Sequence, residues 1–397
     1  MRLLAVEDAR ARMLARTSVL PSESVALEAA VGRALAEDVH AIRDQPPYPA
    51  SAMDGWALRC ADAPGRLAII GESAAGRPFG ARLGRGEAVR IFTGAEVPAG
   101  ADTVVIQEEA TREGGEVAVA AAAAGDNIRP AGCDFHRADR VLDKGARLDA
   151  WRLSLAAAAG RGALAVARRP RVTLLSTGEE IIEPGAAPGP FQIFDSGTIA
   201  VVALARAWGA EPKRLAAVGD DIASTVAAVR DEACDLLVTV GGASVGDHDL
   251  VKPALAVLGL ELFVESVAMR PGKPTWFGRL ADGRLVLGLP GNPASALVGA
   301  ELFLRPLLMA MQGASPRLAM IHAKAAQGLG RNGAREHWMR ARLTSDADGA
   351  LLAQPFDDQD SSLISVFAGA DALVRRPAGA AALAAGEPVE VLPLVRA

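Results

Sequence analysis

At 397 residues the chain exceeds what one ordinary core can organise, and it predicts roughly two to four domains. With 50% hydrophobic and 22% charged residues it falls within ordinary globular usage, which excludes a disordered or fibrous chain. A net charge of -5 excludes the basic excess of sequence-independent nucleic-acid binding, and three scattered cysteines exclude a disulfide framework.

The opening residues carry charges throughout and lack the apolar stretch of a signal peptide. No uninterrupted apolar run reaches the roughly 18 residues of a membrane span, so a soluble, cytoplasmic chain without a membrane partner is expected. Val6, Ala9, Met13 and Leu14 share one side of a predicted helix over 5–16, and a second helix is predicted over 24–38. From Asp44 to about Ala124 Gly and Pro separate short apolar runs, Leu67–Ile70, Ala88–Phe92, Thr103–Gln107 and Glu116–Ala120, which predicts a small β domain. Helical character returns through Leu148–Ala159. The expectation is therefore a helical first domain (1–43 and 125–168) with an inserted β domain (44–124).

From 171 to 312 strands and helices alternate. Strands are predicted at Val172–Leu175, Arg214–Val218, Leu236–Val240, Leu262–Val267 and Leu285–Leu289. Helices are predicted near Thr198–Trp208, Ile222–Glu232, Leu250–Leu258 and Ala294–Met311. This alternation predicts a parallel-sheet α/β domain over 169–314. Short strands at His337–Leu343, Leu351–Ala353, Ala372–Arg375 and Val389–Leu392 predict a barrel-like C-terminal β domain over 318–397.

Ligands of open α/β sheets sit beyond the carboxyl ends of the strands. There the sequence places Ser176-Thr177-Gly178-Glu179-Glu180, Gly219-Asp220-Asp221 and Gly241-Gly242-Ala243-Ser244-Val245-Gly246-Asp247. Gly178, Gly241, Gly242 and Ser244 suit an anion-receiving backbone nest for a phosphate or nucleotide. Glu179, Asp220 and Asp247 offer an oxygen-only set suited to Mg²⁺. The alternative for each acid is helix capping, and Ser-Thr-Gly-Glu by itself also reads as a helix start. Arg270-Pro271-Gly272-Lys273 holds two cations on a Pro-Gly turn, and Pro290-Gly291-Asn292-Pro293-Ala294-Ser295 leads into a helix, so together they suit a tetraoxo or phosphoryl anion.

The stretches SAMDGWA (51–57), FTGAEVPAGADTVVIQEE (92–109), GDNIRPAGCDF (125–135), GGASVGDHD (241–249), RPGKP (270–274) and GLPGNPAS (288–295) resemble, in register, the molybdopterin molybdenumtransferase family, the MoeA type that includes the gephyrin C-terminal region. The resemblance implies a four-domain protomer, a homodimer, and insertion of molybdenum from molybdate into adenylylated molybdopterin with release of AMP and help from Mg²⁺. It also implies a molybdopterin adenylyltransferase upstream. Carried over by position, Asp54, Thr93, Glu179, Asp220 and Asp247 are the implied catalytic residues, Asp54 and Thr93 serving the partner subunit's cleft. Arg270, Lys273, Ser295, Arg335 and Ser361 are the implied contacts to molybdate or molybdopterin. By themselves, Asp54 reads as an Asp-Gly turn and Arg335 as a surface ion pair.

The sequence departs from the family pattern at Trp56 for Tyr, Arg270 for Lys, Gly197 for Asn and Cys133 for an acid. Arg270 keeps the charge but replaces a point donor with a planar fork. Two rival readings differ in class. A molybdopterin adenylyltransferase would need neither the β insertion nor the C-terminal domain, and a non-catalytic scaffold of the gephyrin kind would carry a linker or appended domain that this sequence does not show.

Overall fold

A computed structural model describes residues 3–219, 221–242 and 250–394. The chain divides into two compact units, one formed by Met1–Glu23, Gly32–Ala36 and Ala165–Ala397, the other by Ser24–Val31 and Glu37–Leu164.

The first unit is built on a six-stranded sheet in the order Glu211–Arg214, Arg171–Ser176, Leu236–Val240, Leu285–Leu289, Trp276–Arg279, Glu261–Val264. The first four strands are parallel, and Leu236–Val240 and Leu285–Leu289 are buried throughout, as central parallel strands covered on both faces must be. Successive side chains point to opposite faces. Thus Leu174, Val238 and Leu287 join one core with the helices Val6–Leu14, Gly197–Ala207 and Pro293–Met311, while Leu175, Leu237 and Val286 join another with the helices Ile222–Arg230 and Val251–Val257.

The expected wholly parallel sheet is corrected by Trp276–Arg279, which pairs antiparallel with Leu285–Leu289 and again with Glu261–Val264. Gly288 faces Trp276 across this hairpin, and a Cβ there would lie 2.0 Å from the indole, so glycine is what lets the ring cross the central strand. The second strand forms at Glu211–Arg214, ahead of the predicted 214–218. Pro293–Met311 is long and apolar enough to cross a membrane by length and composition, but 89% of its most apolar window is buried inside the unit, where core packing accounts for its composition. Its middle turn, Ala300–Leu304, is π-helical.

The C-terminal strands Ile321–Ala325, Glu336–Ser345, Leu351–Pro355, Ala372–Arg376 and Pro388–Pro393 close into a five-stranded barrel, because Glu336–Ser345 pairs with both Leu351–Pro355 and Ala372–Arg376. Its interior is narrow and filled by small residues, among them Ala323, Ala325, Ala341, Ala353 and Ala372.

The second unit contains a six-stranded sheet ordered Thr103–Ile106, Gly55–Leu58, Glu87–Ile91, Gly65–Ser73, Glu116–Val119, Ala110–Glu113. Its core gathers Trp56, Leu58, Leu67, Val105 and Val117. Trp56 is 4% exposed, so the Tyr-to-Trp departure is a packing feature.

The expected helical first region is corrected. Its α-helices are Val6–Leu14 in the first unit and Ala150–Ala158 in the second, and the remainder is loop and turn with a few short strands. The helix predicted over 24–38 is replaced by the strand Ser22–Ala26, a 3-10 turn at Leu27–Ala29 and the strand Val39–His40. Gly32 at φ 73° stands in the left-handed region, which a right-handed helix cannot pass through.

Candidate active site

A cleft of about 990 Å³ opens in the first unit where the strand ends of the α/β sheet meet one end of the barrel. Strand Arg171–Ser176 delivers Ser176, Thr177 and Gly178 to it, and Leu236–Val240 delivers Gly241 and Gly242. A Cβ on Gly241 would lie 2.7 Å from the Thr177 carbonyl oxygen, and one on Gly242 would lie 2.1 Å from Val251 Cγ2, so neither position admits a side chain without displacement.

Two amides of the expected nest are engaged elsewhere, and Ser244 lies outside the described residues. Gly178 N donates to Val218 O and Gly241 N to Leu289 O, both at 3.2 Å, so these N–H groups are committed to the sheet. Glycine there supplies room at the cleft floor. The helix-start reading of Ser-Thr-Gly-Glu also falls, since the chain continues into a strand, Ile181–Ile182, paired with Ile193–Phe194.

The cationic wall follows from main-chain pairing. The short strand Met269–Arg270 pairs in parallel with Glu336–His337, which brings Arg270 alongside the segment carrying Arg335. The turn Pro271–Pro274 is held by Thr275, whose N and Oγ1 both donate to Gly272 O at 3.0 and 2.8 Å. Arg270, Lys273 and Arg335 all line the cleft. Among the described residues none of the three side chains makes a hydrogen bond or ion pair within the chain. Two of the acids in the same cleft, Asp195 and Asp360, are differently placed. Asp195 accepts from Thr198 N at 3.0 Å, from Thr198 Oγ1 and from Arg214 at 3.1 Å. Asp360 accepts from Ser362 N and Oγ at 2.8 and 2.6 Å, and the Ser362 hydroxyl holds its carboxyl below the usual range.

Pro293 opens the helix Pro293–Gly299, its fixed φ suited to a first turn, and Ser295 lies in that turn, 4% exposed. Ser361 reaches this point from the barrel side. Asn292 Nδ2 donates to Ser361 Oγ at 2.8 Å, and Ala294 N donates to Ser361 O at 3.1 Å. The cleft thus joins three cations without partners among the described residues, two hydroxyls and a glycine floor, a set suited to a multiply charged anion.

Of the sequence-derived candidates, Gly178, Gly241, Gly242, Arg270, Lys273, Ser295, Arg335 and Ser361 meet in this cleft. Glu179 is exposed between the cleft-lining Gly178 and Glu180, and its Cγ lies 3.9 Å from where a side chain on Gly219 would begin. Asp220, Ser244 and Asp247 lie outside the described residues, and among the described residues no group of three acidic, histidine or cysteine side chains gathers as a metal centre. Asp221 caps the helix Ile222–Arg230, accepting from Ser224 N at 2.8 Å and from its hydroxyl, which holds the carboxyl low. Asp54 and Thr93 belong to the second unit. Thr93 N and Oγ1 both donate to Asp54 Oδ1, at 2.7 and 2.8 Å, and these bonds lower the Asp54 pKa. The glycine of the Asp-Gly step is required, since a Cβ on Gly55 would lie 2.0 Å from Val105 O.

Comparison with known proteins matches residues 4–160 to the MoeA N-terminal region (domain I and II), 173–310 to a probable molybdopterin binding domain and 322–394 to the MoeA C-terminal region (domain IV). A molybdopterin molybdenumtransferase of Bacillus subtilis (strain 168) is 33% identical over 386 residues, covering 94% of this chain and 89% of the relative. One of Haemophilus influenzae is 33% identical over 400 residues, covering 98% of each. This chain belongs to the molybdopterin molybdenumtransferase family. The molybdopterin biosynthesis MoeA protein of Pyrococcus horikoshii OT3 superposes with a TM-score of 0.86 at 26% identity, over 99% of this chain and 100% of that one. A second structure of a MoeA protein from that species gives a TM-score of 0.82 at 31% identity, covering 99% of both.

For a member of the molybdenumtransferases, the cleft also contains residues that sequence reasoning missed: Asp195, Asn292, Gln359 and Asp360. Asn292 stood inside a recognised loop, but its partner Ser361 is remote in sequence. Gln359 and Asp360 lie in a polar stretch with no pattern of their own.

Proposed function

We propose that this enzyme inserts molybdenum from molybdate into adenylylated molybdopterin and releases AMP. The observation that carries the reading is the convergence of Arg270, Lys273 and Arg335, uncompensated among the described residues, with Ser295 and Ser361 above a glycine floor. Two polyanions brought together repel each other, so the work required is charge neutralisation and alignment. In this reading the three cations and two hydroxyls hold the tetrahedral oxyanion, and Gly178, Gly241 and Gly242 leave space for the phosphate-bearing part of the substrate.

The carboxylates Glu179, Asp220 and Asp247 would hold Mg²⁺. Oxygen-only donors match that ion, and Glu179 stands against Gly219, the residue preceding Asp220. Bound there, the ion would neutralise phosphoanhydride charge. The proposal extends to a cytoplasmic homodimer in which Asp54 and Thr93 serve the cleft of the partner subunit, and to a molybdopterin adenylyltransferase as supplier of the adenylylated substrate.

The test is incubation of the pure protein with adenylylated molybdopterin and Mg²⁺, with and without molybdate, following AMP release and active cofactor. Molybdate-dependent formation of both is expected. Identical time courses with and without molybdate would overturn the assignment.

A further inference from the structure

Arg340 lies in the barrel strand Glu336–Ser345 and is completely buried, yet among the described residues its side chain contacts no carboxylate. Its Nη2 donates to Asp360 O at 2.9 Å, Nη1 to Leu363 O at 3.1 Å and Nε to Gln359 Oε1 at 3.3 Å. The main chain completes the lock. Arg340 N donates to Gln359 Oε1 at 2.9 Å, and Gln359 Nε2 returns to Arg340 O at 3.0 Å and to Phe356 O at 2.8 Å. Every acceptor of the guanidinium belongs to residues 359–363, the stretch that brings Gln359, Asp360, Ser361 and Ser362 to the cleft wall.

We propose that Arg340 is a positioning residue for the oxyanion site, fixing the Gln359–Leu363 segment from behind so that Ser361 meets the first turn of the helix at Asn292–Ser295. Ser361 is thereby held from two sides, by Arg340 through the carbonyls flanking it and by Asn292 and Ala294 through its own oxygens. A neutral residue would fill the volume at lower desolvation cost, since burying a guanidinium without a contacting carboxylate is unfavourable. Burial does push the Arg340 pKa down, against the opposing pull of Asp358 and Asp360. What the guanidinium supplies is a planar fork that spans two carbonyls in fixed geometry, which an ammonium cannot reproduce. Because the cation is retained beneath an anion-receiving loop, its field also adds to that of Arg270 and Arg335.

This inference rests on the oxyanion reading above. The experiment compares Arg340→Lys with Arg376→Lys, a second buried arginine that ends on carbonyls, Gly330 O and Ala381 O, and does not line the cleft. Half-saturating molybdate, KM for adenylylated molybdopterin and amide hydrogen exchange over 359–363 are measured for each. Arg340→Lys is expected to raise half-saturating molybdate by about tenfold, leave KM for the pterin within about twofold and speed exchange in that segment. Arg376→Lys is expected to do none of these. Should Arg340→Lys not fold, Gln359→Leu breaks the same lock from the loop side with the buried charge in place, and the same selective rise is expected. An unmoved molybdate dependence in the folded variant, or equal shifts in Arg340→Lys and Arg376→Lys, overturns the proposal. A wild-type chain that forms cofactor without needing molybdate strikes instead at the reading beneath it.

Discussion

His337 illustrates how a single side chain can be expensive to charge. It is 9% exposed, its Nε2 has no hydrogen-bond partner, and burial followed by the charges of Arg270, Arg340 and Arg335 lowers its pKa to about 4 from 6.5. The folded chain therefore takes up this proton less readily than the unfolded chain. Stability is unaffected above the unfolded value, declines as pH falls from about 6.5 towards 4, and reaches its full loss below that. The difference corresponds to an upper bound of about 3 kcal/mol. His337→Phe, which fills the same buried position without a titrating group, is expected to flatten this part of the profile. Urea midpoints between pH 7.5 and 4.5 would show it, and matching slopes in the two proteins would remove His337 as the cause. At this scale the sequence was informative wherever chemistry was concentrated in a short string. Arg270 and Lys273 stand out because cations on a Pro-Gly turn have few structural uses. Arg340 and Gln359 were illegible because their roles depend on partners that only the closed barrel brings near.

At the scale of elements, periodicity located the buried strands and missed those whose pairing depends on tertiary contact. Leu236–Val240 and Leu285–Leu289 are largely apolar runs that end at Gly241 and Pro290, so they could be read directly. Glu211–Arg214 is polar, an edge strand whose position is set by pairing with Arg171–Leu174. Trp276–Arg279 is short and follows a proline-rich turn, and its existence depends on Gly288 opposite. Gly288→Ala should accordingly force the Trp276 ring out of place and destabilise the first unit by about 1–3 kcal/mol, the usual range for overpacking. Adding Trp276→Leu should recover part of that loss, because the clash is with the indole. The comparison is of denaturation midpoints for the single and double variants, and a double variant no more stable than Gly288→Ala would mean that the strain lies in the backbone.

At the scale of the whole molecule, two chemically distinct sets of residues lie in different units. Asp54 is held ionised by Thr93 in the second unit, whereas the glycine-floored cleft with its cations belongs wholly to the first. If the working assembly is a homodimer with each cleft served by Asp54 of the partner subunit, the two lesions Asp54→Ala and Glu179→Ala should complement each other. Each variant alone carries its lesion at both sites of its dimer and should be inactive. In a mixed dimer both lesions fall on one site and leave the other intact. Random exchange makes half of the dimers mixed, and each contributes one of its two sites, so about a quarter of wild-type activity should return on mixing equal amounts. Sites contained within single chains would give the opposite result, since every site in the mixed dimer would retain one lesion. The measurement is molybdate-dependent AMP release after subunit exchange, with the mixed dimer isolated by differential tags, and a mixed dimer as inactive as its parents would exclude the shared arrangement.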